Sequence, residues 1–427
     1  MGDASAIRRL FGAAARSPMW TREGVFLYPP KSLWSPLRPA QAAADWRQLK
    51  HADNDPVGLY VHLPAETESI AEFFAPRRTH PYIECLQKEA DILRLPADLP
   101  LRTLYIGSGG AGVLGSFSAA DIRTLLSWLR RRFRLSSLQQ AAVEVDAAEL
   151  TREKVRELKR ADVDRVTAFC PAADGPEVFL RRRRFAAGLR LCRREGIRYI
   201  SIDLAAGRPG KTAGASCLDA EFALSLKPDA VHLHDQSMPA AGRTMPLGRL
   251  QRLVAAAQKE RGPEGEPSSA ANNLQLSHVS ARSASILGLG WNAVSHIRGR
   301  RVYGHAEPCF KYAAALLNGR APRYTGHALD EEMEMRSFIV RALEDTGRLD
   351  CVTFRDTFGR EPEAAFPRLF GPLLREKRLS RRAGQLIVAA KREEARYLCS
   401  VRFYGRELLR RLAAAPAQRA PDPAHRT

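Results

Sequence analysis

Short β-rich runs alternate with amphipathic helical stretches from residue 58 to residue 235, and this order constrains the fold more than any other feature. Each strand–helix unit takes roughly 30–40 residues, which is typical of a parallel sheet covered by helices. Because connected right-handed β–α–β units curl in one direction, we predict an α/β fold with an open, partial (β/α)6 barrel. The predicted strands lie at 58–63, 101–106, 142–145, 165–169, 199–204 and 230–234, and the helices at 81–95, 119–133, 151–159, 178–195 and 218–226.

Two further segments flank or interrupt this alternation. Residues 1–50, rich in Pro, Trp and Ala, predict an extended N-terminal arm with one helix at 40–49. The barrel is assigned to 51–322, and it includes a polar loop at 259–275 that is rich in Gly, Pro and Ser. A short apolar, strand-like stretch follows the loop at 285–297.

The alternation stops after Pro322, which predicts a second, smaller domain over 323–412. Helices followed by a short β-ribbon are typical of a helical, winged-helix-like unit. The tail at 413–427 contains three Pro and is predicted to be disordered. The predicted elements of the second domain are helices at 331–344, 352–358 and 364–377 and a strand at 385–389.

Composition places the chain among globular proteins. A hydrophobic fraction of 45% over 427 residues excludes wholesale disorder. No apolar run approaches the roughly 20 residues that a membrane span needs, so we expect no membrane span. The N-terminus has no sustained apolar stretch of the kind found in secretory signals. We therefore expect a cytoplasmic protein.

The chain is strongly basic, with 67 Lys and Arg against 47 Asp and Glu and a formal net charge of +20. Such a charge favours an anionic partner. Specific nucleic-acid binding is not favoured, because no basic strand is interleaved with aromatic residues and no clear recognition helix is found. The alternatives are a basic rim for a small anionic molecule and solvated helix faces in an Arg-rich chain. The arginine-rich runs lie at 130–134, 181–184, 298–301 and 378–382.

The seven cysteines are scattered, and none forms a CxxC, CxxxC or Cys/His pattern. The spacings of zinc and iron–sulfur sites are therefore absent. An odd number of dispersed cysteines favours reduced thiols in the cytoplasm.

Polar residues gather at the predicted carboxyl ends of the strands, where barrel proteins place their chemistry. Tyr60 and His62 alternate onto one face of the first strand. A glycine loop that contains Gly109 and Gly110 follows the second strand and lets a ligand approach the backbone. The remaining candidates at strand ends are Glu144, Asp203, His232 and His234.

His62, His232 and His234 fall on one face of their strands by the same alternation. With Glu144 or Asp203 they offer a mixed imidazole and carboxylate set that could hold a metal ion or flank a tetrapyrrole. The alternative is that they are ordinary hydrogen-bonded histidines of a barrel. Rim carboxylates have the corresponding alternative of salt bridges to Arg.

Six motifs in order carry a family resemblance: LYVHLP, the glycine loop, VEVD, IDLAAGRPGKT, KPDAVHLHDQSMP and LGLGWNAVS. Together they resemble the oxygen-independent coproporphyrinogen III oxidases and the related heme chaperones of the radical S-adenosylmethionine (SAM) superfamily. The resemblance runs from about residue 24 to about residue 410. It implies a partial barrel of the radical SAM type and SAM as a ligand.

The resemblance also implies which residues contact SAM. They are Tyr60, Gly109, Gly110, Glu144, Arg183 and Asp203. The family pattern departs at the iron–sulfur site, because its three cysteine positions fall on Glu66, Ile70 and Phe73. A family Gln also falls on Pro171. We therefore predict that the chain builds no 4Fe–4S cluster and performs no radical chemistry.

Three functional hypotheses remain open at this point. In the first, the barrel binds SAM or an anionic, tetrapyrrole-like molecule, either in a chaperone-like role or for non-radical SAM-dependent chemistry with His62 or Glu144 as a catalytic base. In the second, the chain is a pseudoenzyme that interacts with an active partner protein. In the third, it is a metal enzyme built on the histidine set.

Overall fold

A computed structural model gives the structure of the chain, and the labels below number its elements in order along the chain. The structure describes residues 28–49, 56–64, 67–73, 80–108, 114–133, 135–136, 138–171, 177–206, 212–235, 284–345, 347–389, 396, 399–405 and 408. The predicted loop at 259–275 and the predicted tail at 413–427 lie outside these residues.

Eleven described strands form one sheet and three form another. The strands of the large sheet are β1 (Ser35–Leu37), β2 (Val57–His62), β3 (Leu101–Gly107), β4 (Gln140–Val145), β5 (Arg165–Phe169), β6 (Tyr199–Ala206), β7 (Ala230–Asp235), β8 (Ser285–Leu289), β9 (Val294–Ile297), β10 (Arg301–His305) and β11 (Tyr324–Ala328). The small sheet contains β12 (Arg348–Asp350), β13 (Leu379–Arg382) and β14 (Gln385–Val388).

The described helices cover the faces of these sheets. The first group is α1 (Pro39–Arg47), α2 (Thr67–Phe73), α3 (Pro81–Ile92), α4 (Ala119–Arg132), α5 (Arg152–Arg160), α6 (Val178–Arg194), α7 (Ala213–Ser225) and α8 (Cys309–Leu317). The second group, nearer the C-terminus, is α9 (Glu331–Asp345), α10 (Cys351–Phe358), α11 (Pro362–Ala365) and α12 (Pro367–Arg375). Helix α2 is not predicted from the sequence.

The strand order of the large sheet is β1-β11-β10-β9-β8-β2-β3-β4-β5-β6-β7. Strands β2 to β7 are parallel neighbours in chain order, which confirms the predicted α/β fold. Strand β8 is parallel to β2 on its other side, and β9 to β11 extend the sheet with antiparallel pairs. The parallel strands thus form an open array, in which β7 ends the sheet within the described chain.

The predicted apolar stretch at 285–297 is two strands, β8 and β9, rather than one. Gly290 separates them with a φ of 96°, a conformation that glycine adopts without strain. The antiparallel strands β10 and β11 were not predicted, and β11 continues the large sheet past residue 322. Alternating sheet patterns are difficult to detect in such short strands.

Strand alternation gives the barrel two different faces. One set of strand residues is aliphatic and belongs to the same buried cluster as helix residues Leu126 and Phe185. Typical members are Val61, Val143 and Ile202. The opposite set is polar, although it is also buried: Thr103, Glu144, Arg165, Thr167, Ser201 and Asp203. The inner face of the barrel is therefore polar and its outer face packs against the helices.

The arginine run at 130–134 illustrates how local sequence sets a helix. Ser118 and Asp121 form a capping box that begins α4, with the Asp121 N–H donating to Ser118 Oγ over 3.1 Å. Arg130, Arg131 and Arg132 lie in the last turn, where positive charge interacts favourably with the helix dipole. Their position at the end of α4 thus explains the arginine run without an anionic ligand.

A second buried cluster lies in the C-terminal part of the chain and includes Phe338, Phe354 and Phe370. The element order helix, strand, three helices and hairpin agrees with the predicted winged-helix-like unit. The helix predicted at 364–377 is two helices, which separate at Phe366, before Pro367. Tyr28, from the predicted arm, packs in this second cluster.

Within the described residues, no helix combines the length and the apolar character that crossing a membrane requires.

Candidate functional site

Four of the predicted residues lie on the polar inner face of neighbouring parallel strands. Tyr60 and His62 are on β2, Glu144 is on β4 and Asp203 is on β6. His62 is paired in register with Gly107 of β3. Because these strands are parallel, their carboxyl ends meet at one edge, which we call the rim.

Glu144 is held as an acceptor by two neighbours. The Tyr105 hydroxyl donates to Oε1 over 2.7 Å, and the Ser108 backbone N–H donates to Oε2 over 2.7 Å. The Ser108 hydroxyl adds a longer contact of 3.4 Å. Donors directed at a buried carboxylate favour its ionised form. The rim therefore presents a fixed negative charge at this point.

Gly107 makes this arrangement possible. A Cβ at this position would lie 2.7 Å from Glu144 Cδ and 2.8 Å from Tyr105 Cε1. Both distances are shorter than real carbon contacts, so any other residue would displace the carboxylate or the phenol ring. Gly107, the last residue of β3, thus leaves the space that the Glu144 carboxylate and the Tyr105 ring occupy.

Tyr60 and His62 form a hydrogen-bonded pair, with 2.7 Å between Tyr60 Oη and His62 Nδ1. Burial, with smaller contributions from nearby Lys31 and His305, lowers the pKa of His62 from 6.5 to about 4. Burial also raises the pKa of Tyr60 well above its usual value, and Glu144 adds to that shift. Both side chains are therefore neutral near pH 7.

Asp203 is buried near the end of β6, where it pairs in register with Phe169 on one side and His232 on the other. Burial raises the pKa of Tyr105 well above its usual value, and Glu144 and Asp203 both contribute to the shift. The negative charges of both carboxylates therefore disfavour ionisation of the Tyr105 hydroxyl. The structure brings the two predicted carboxylates into one electrostatic environment.

Arg183 lies on α6 with its side chain exposed. The neighbouring Arg182 is the more buried residue, and its guanidinium pairs with Asp219 over 2.6 Å and stacks 4.6 Å from the Phe222 ring centroid. Arg181 reaches Asp146 at 3.5 Å. The ligand contact that the resemblance implies for Arg183 stays a prediction.

The other predicted residues are only partly described. His232 is half-buried on β7, while Gly109, Gly110 and the side chain of His234 lie outside the described atoms. Among described His, Cys, Asp and Glu side chains, one group has its ligand atoms within 4.8 Å: Cys351, Glu361 and Glu363. Arg381 already pairs with both of those carboxylates. His62 and His232 belong to no such group in the described part of the chain.

Two of the three positions that hold cysteine in the family pattern are described, and their side chains differ in burial. Ile70 on α2 is 0% exposed and belongs to the main apolar cluster. Phe73 is 73% exposed, with its ring centroid 5.8 Å from that of Phe310. Glu66 lies outside the described residues. None of the seven cysteines, all of which lie in the described part of the chain, forms a disulfide bond. Ile70 and Phe73 carry no thiol, so these two positions do not fit the thiolate ligand set of a 4Fe–4S cluster.

A buried carboxylate on α3, Glu89, was missed by the sequence interpretation. It is 0% exposed and bonds to His305, Tyr312, Tyr324 and the Gly290 N–H. Its sequence signal is a charged residue on the apolar face of a helix, three positions after Leu86. Such a residue requires a buried partner.

The described fold is similar to that of a solved radical SAM enzyme. The coproporphyrinogen III oxidase HemN of Escherichia coli, a radical SAM enzyme, superimposes with a TM-score of 0.58 at 19% sequence identity. The match covers 88% of this chain and 95% of that structure. The fold is therefore an α/β barrel of the radical SAM type.

The amino-acid sequence is also similar to those of characterised proteins. It is 22% identical over 360 residues to the oxygen-independent coproporphyrinogen III oxidase of Cereibacter sphaeroides, covering 74% of this chain and 78% of that protein. It is 23% identical over 343 residues to the heme chaperone HemW of Bacillus subtilis, covering 72% and 88%. No family model matches the chain. The chain is a distant homologue of these coproporphyrinogen III oxidases and heme chaperones, which confirms the resemblance.

Proposed function

We propose that the rim binds SAM or another nucleotide-like small molecule. The observation that carries the proposal is the pair of buried rim carboxylates, Glu144 and Asp203, whose charges both act on Tyr105. A ligand with ammonium or ribose hydroxyl groups would donate hydrogen bonds to such carboxylates, and charge-assisted hydrogen bonds are among the stronger ones. The resemblance supports SAM among such ligands.

We propose further that this binding takes place without a 4Fe–4S cluster. The support comes from Ile70 and Phe73, which are apolar and replace two of the three thiolate ligands. A bound SAM would then offer its sulfonium as an electrophile rather than as a source of radicals. The homology to coproporphyrinogen III oxidases makes a carboxylate-bearing tetrapyrrole the second ligand to test.

Calorimetric titration tests the binding proposal. SAM and coproporphyrin III are titrated separately into the pure protein and into the Glu144→Gln and Asp203→Asn variants. We expect SAM to bind and each substitution to weaken it at least about tenfold, since a charged hydrogen bond contributes about 1.5–3 kcal/mol. The matched control is Glu334→Gln, which removes a buried carboxylate on α9. Absence of SAM binding, or wild-type SAM affinity in both rim variants, would contradict the proposal.

Anaerobic reconstitution tests the second part. The protein is incubated with ferrous iron, sulfide and a thiol reductant, desalted, and analysed for iron, sulfide and visible absorption. We expect neither bound iron nor bound sulfide in stoichiometric amount. A reducible iron–sulfur chromophore would overturn this part and leave the binding proposal to be judged on the titrations.

A further inference from the structure

Glu89 is a fully buried carboxylate that accepts four hydrogen bonds. Oε1 accepts from His305 Nε2 over 2.8 Å and from the Tyr324 hydroxyl over 3.1 Å. Oε2 accepts from the Gly290 N–H and from the Tyr312 hydroxyl, both over 2.8 Å. Burial alone would raise the pKa of Glu89, but His305 and these donors outweigh it and lower the pKa. Glu89 is therefore ionised and faces an imidazole inside the fold.

This carboxylate is connected to the rim through the turn between β8 and β9. Gly290 donates to Glu89, and the next N–H, of Trp291, donates to the Tyr82 hydroxyl over 2.8 Å. Tyr82 in turn donates to the backbone oxygen of His62 over 3.1 Å. A Cβ at position 290 would lie 2.4 Å from that same oxygen. The turn is thus held in direct contact with the end of β2.

The hydrogen bond between Tyr60 and His62 joins a phenol hydroxyl to Nδ1 of the ring, and the tautomer of His62 decides which of the two groups donates. Within the described residues the Tyr60 hydroxyl has His62 Nδ1 as its hydrogen-bond partner. A neutral phenol has one proton to donate, and His62 Nδ1 satisfies it only by being unprotonated. A neutral imidazole with a bare Nδ1 carries its proton on Nε2.

The groups around His62 favour this neutral form. Lys31, near the start of the described chain, and His305, on β10, both disfavour a second positive charge there. Tyr60 lies on the same strand, Tyr82 approaches from α3, and the Trp291 ring centroid is 6.5 Å away. The carboxylate of Glu89 is bonded to His305. Apart from that carboxylate, the groups named around His62 are positive or neutral.

We propose that His62 serves the rim as a hydrogen-bond donor through its Nε2–H, and that Glu89 and His305 are positioning residues that hold it there. The ligand atom at this point is then an acceptor, such as a carboxylate, phosphate or carbonyl oxygen. This assignment of the ligand group rests on the proposed function, and it replaces the role of His62 as a base. In this assignment Nδ1, the nitrogen that could take up a proton, accepts a hydrogen bond from the Tyr60 hydroxyl instead.

The test begins on the ligand-free protein, so that it does not depend on the proposed function. Two-bond 1H–15N correlation spectra of histidine-labelled protein near neutral pH report which ring nitrogen is protonated, and His62→Gln assigns the signals. We expect His62 protonated on Nε2, with the Nδ1-protonated form appearing in Tyr60→Phe. A wild-type Nδ1-protonated ring, or an unchanged tautomer in Tyr60→Phe, would overturn the proposal.

The positioning role is tested with Glu89→Gln, which keeps the shape of the side chain and removes its charge. We expect a shifted His62 signal and SAM affinity about tenfold lower, with the Nε2-protonated tautomer retained because Tyr60 is intact. The matched control is Glu334→Gln, since Glu334 forms a second buried pair with His296 over 2.8 Å. If Glu89→Gln fails to fold, Tyr324→Phe removes one of the same hydrogen bonds and is expected to shift the signal less.

The outcomes separate the two proposals. The expected tautomer without SAM binding contradicts the proposed function and leaves the His62 assignment standing. SAM binding with an Nδ1-protonated His62 contradicts the assignment alone. A Glu89→Gln protein that loses stability but keeps the wild-type His62 signal and affinity would show a purely structural carboxylate and overturn the positioning role.

Discussion

The Tyr105 hydroxyl and the Glu144 carboxylate join strands β3 and β4 through a 2.7 Å hydrogen bond on the inner face of the barrel. Ser108, just beyond β3, bonds to the other carboxylate oxygen. One strand and the loop after it therefore fix the orientation of a charge on the next strand. Gly107 lies between the two donors and leaves room for the carboxylate.

Replacing Tyr105 by Phe removes one of these donors. We expect the free energy of unfolding to fall by about 1–2 kcal/mol, since the carboxylate stays buried with one partner fewer, and SAM affinity to fall with it. Denaturant unfolding and calorimetric titration measure the two effects. The control is Tyr303→Phe on β10, which loses its 2.7 Å bond to Trp46 and should lower stability but not affinity. Equal affinities in both variants would argue against a role for Glu144 orientation.

Ile70 and Phe73 occupy former cysteine positions of the family pattern and should respond very differently to truncation. Ile70→Ala leaves a cavity in the main cluster and is expected to cost about 2–5 kcal/mol of stability. Phe73 is 73% exposed, so Phe73→Ala should stay within about 0.5 kcal/mol of wild type. Urea unfolding of the two variants side by side provides the comparison. A mild effect at position 70 would mean that α2 is not part of the core.

His62 makes the stability of the protein depend on pH. Burial, Lys31 and His305 lower its pKa from 6.5 to about 4, so the unfolded chain takes up this proton before the folded chain does as pH falls. Stability is therefore lost between these two pKa values, by about 2 kcal/mol on reaching about pH 5. His62→Gln should remove this part of the pH dependence, as measured by denaturant unfolding across that range.

The control for this measurement is His327→Gln, on β11, where the histidine is half-buried. That variant should keep the wild-type loss of stability at low pH. A His62→Gln protein with the full wild-type pH dependence would be inconsistent with a neutral, buried His62.

Arg182 and Arg183 are adjacent on α6 and have different roles. Arg182 pairs with Asp219 over 2.6 Å, and Arg182→Ala leaves that buried carboxylate without its cation. We expect a loss of about 2 kcal/mol for Arg182→Ala and no measurable loss of stability for the exposed Arg183→Ala. Titration of Arg183→Ala with SAM then tests the contact implied by the family resemblance, and wild-type affinity would argue against it.

The sequence was sufficient to predict the parallel part of the fold. Strands β2 to β7 have long, regular connections with amphipathic helices, and alternation correctly placed Tyr60, His62 and Glu144 on one face. The antiparallel strands β9 to β11 are short, and their pairing depends on neighbours distant in the chain. No local pattern specifies such pairing.

The contacts within the site were not predictable in the same way. The family motif carries Tyr60 and Glu144, but nothing in it indicates that Tyr105 bonds to Glu144 or that Tyr60 bonds to His62 Nδ1. The connection from Glu89 to the rim involves α3, β10, β11 and the turn at Gly290, which meet only in three dimensions. A charged residue on an apolar helix face indicates a buried partner without naming it.

Strand β1 pairs with β11, so that Leu37 lies opposite Tyr324. During synthesis the beginning of the chain must therefore wait for most of the remaining sequence before it can join the sheet. Long-range pairing of this kind slows folding, and until it is complete the edge of β11 is free to pair with another chain. Truncation anywhere before Tyr324 would leave Ser35–Leu37 without its strand partner, and such fragments should aggregate when expressed alone.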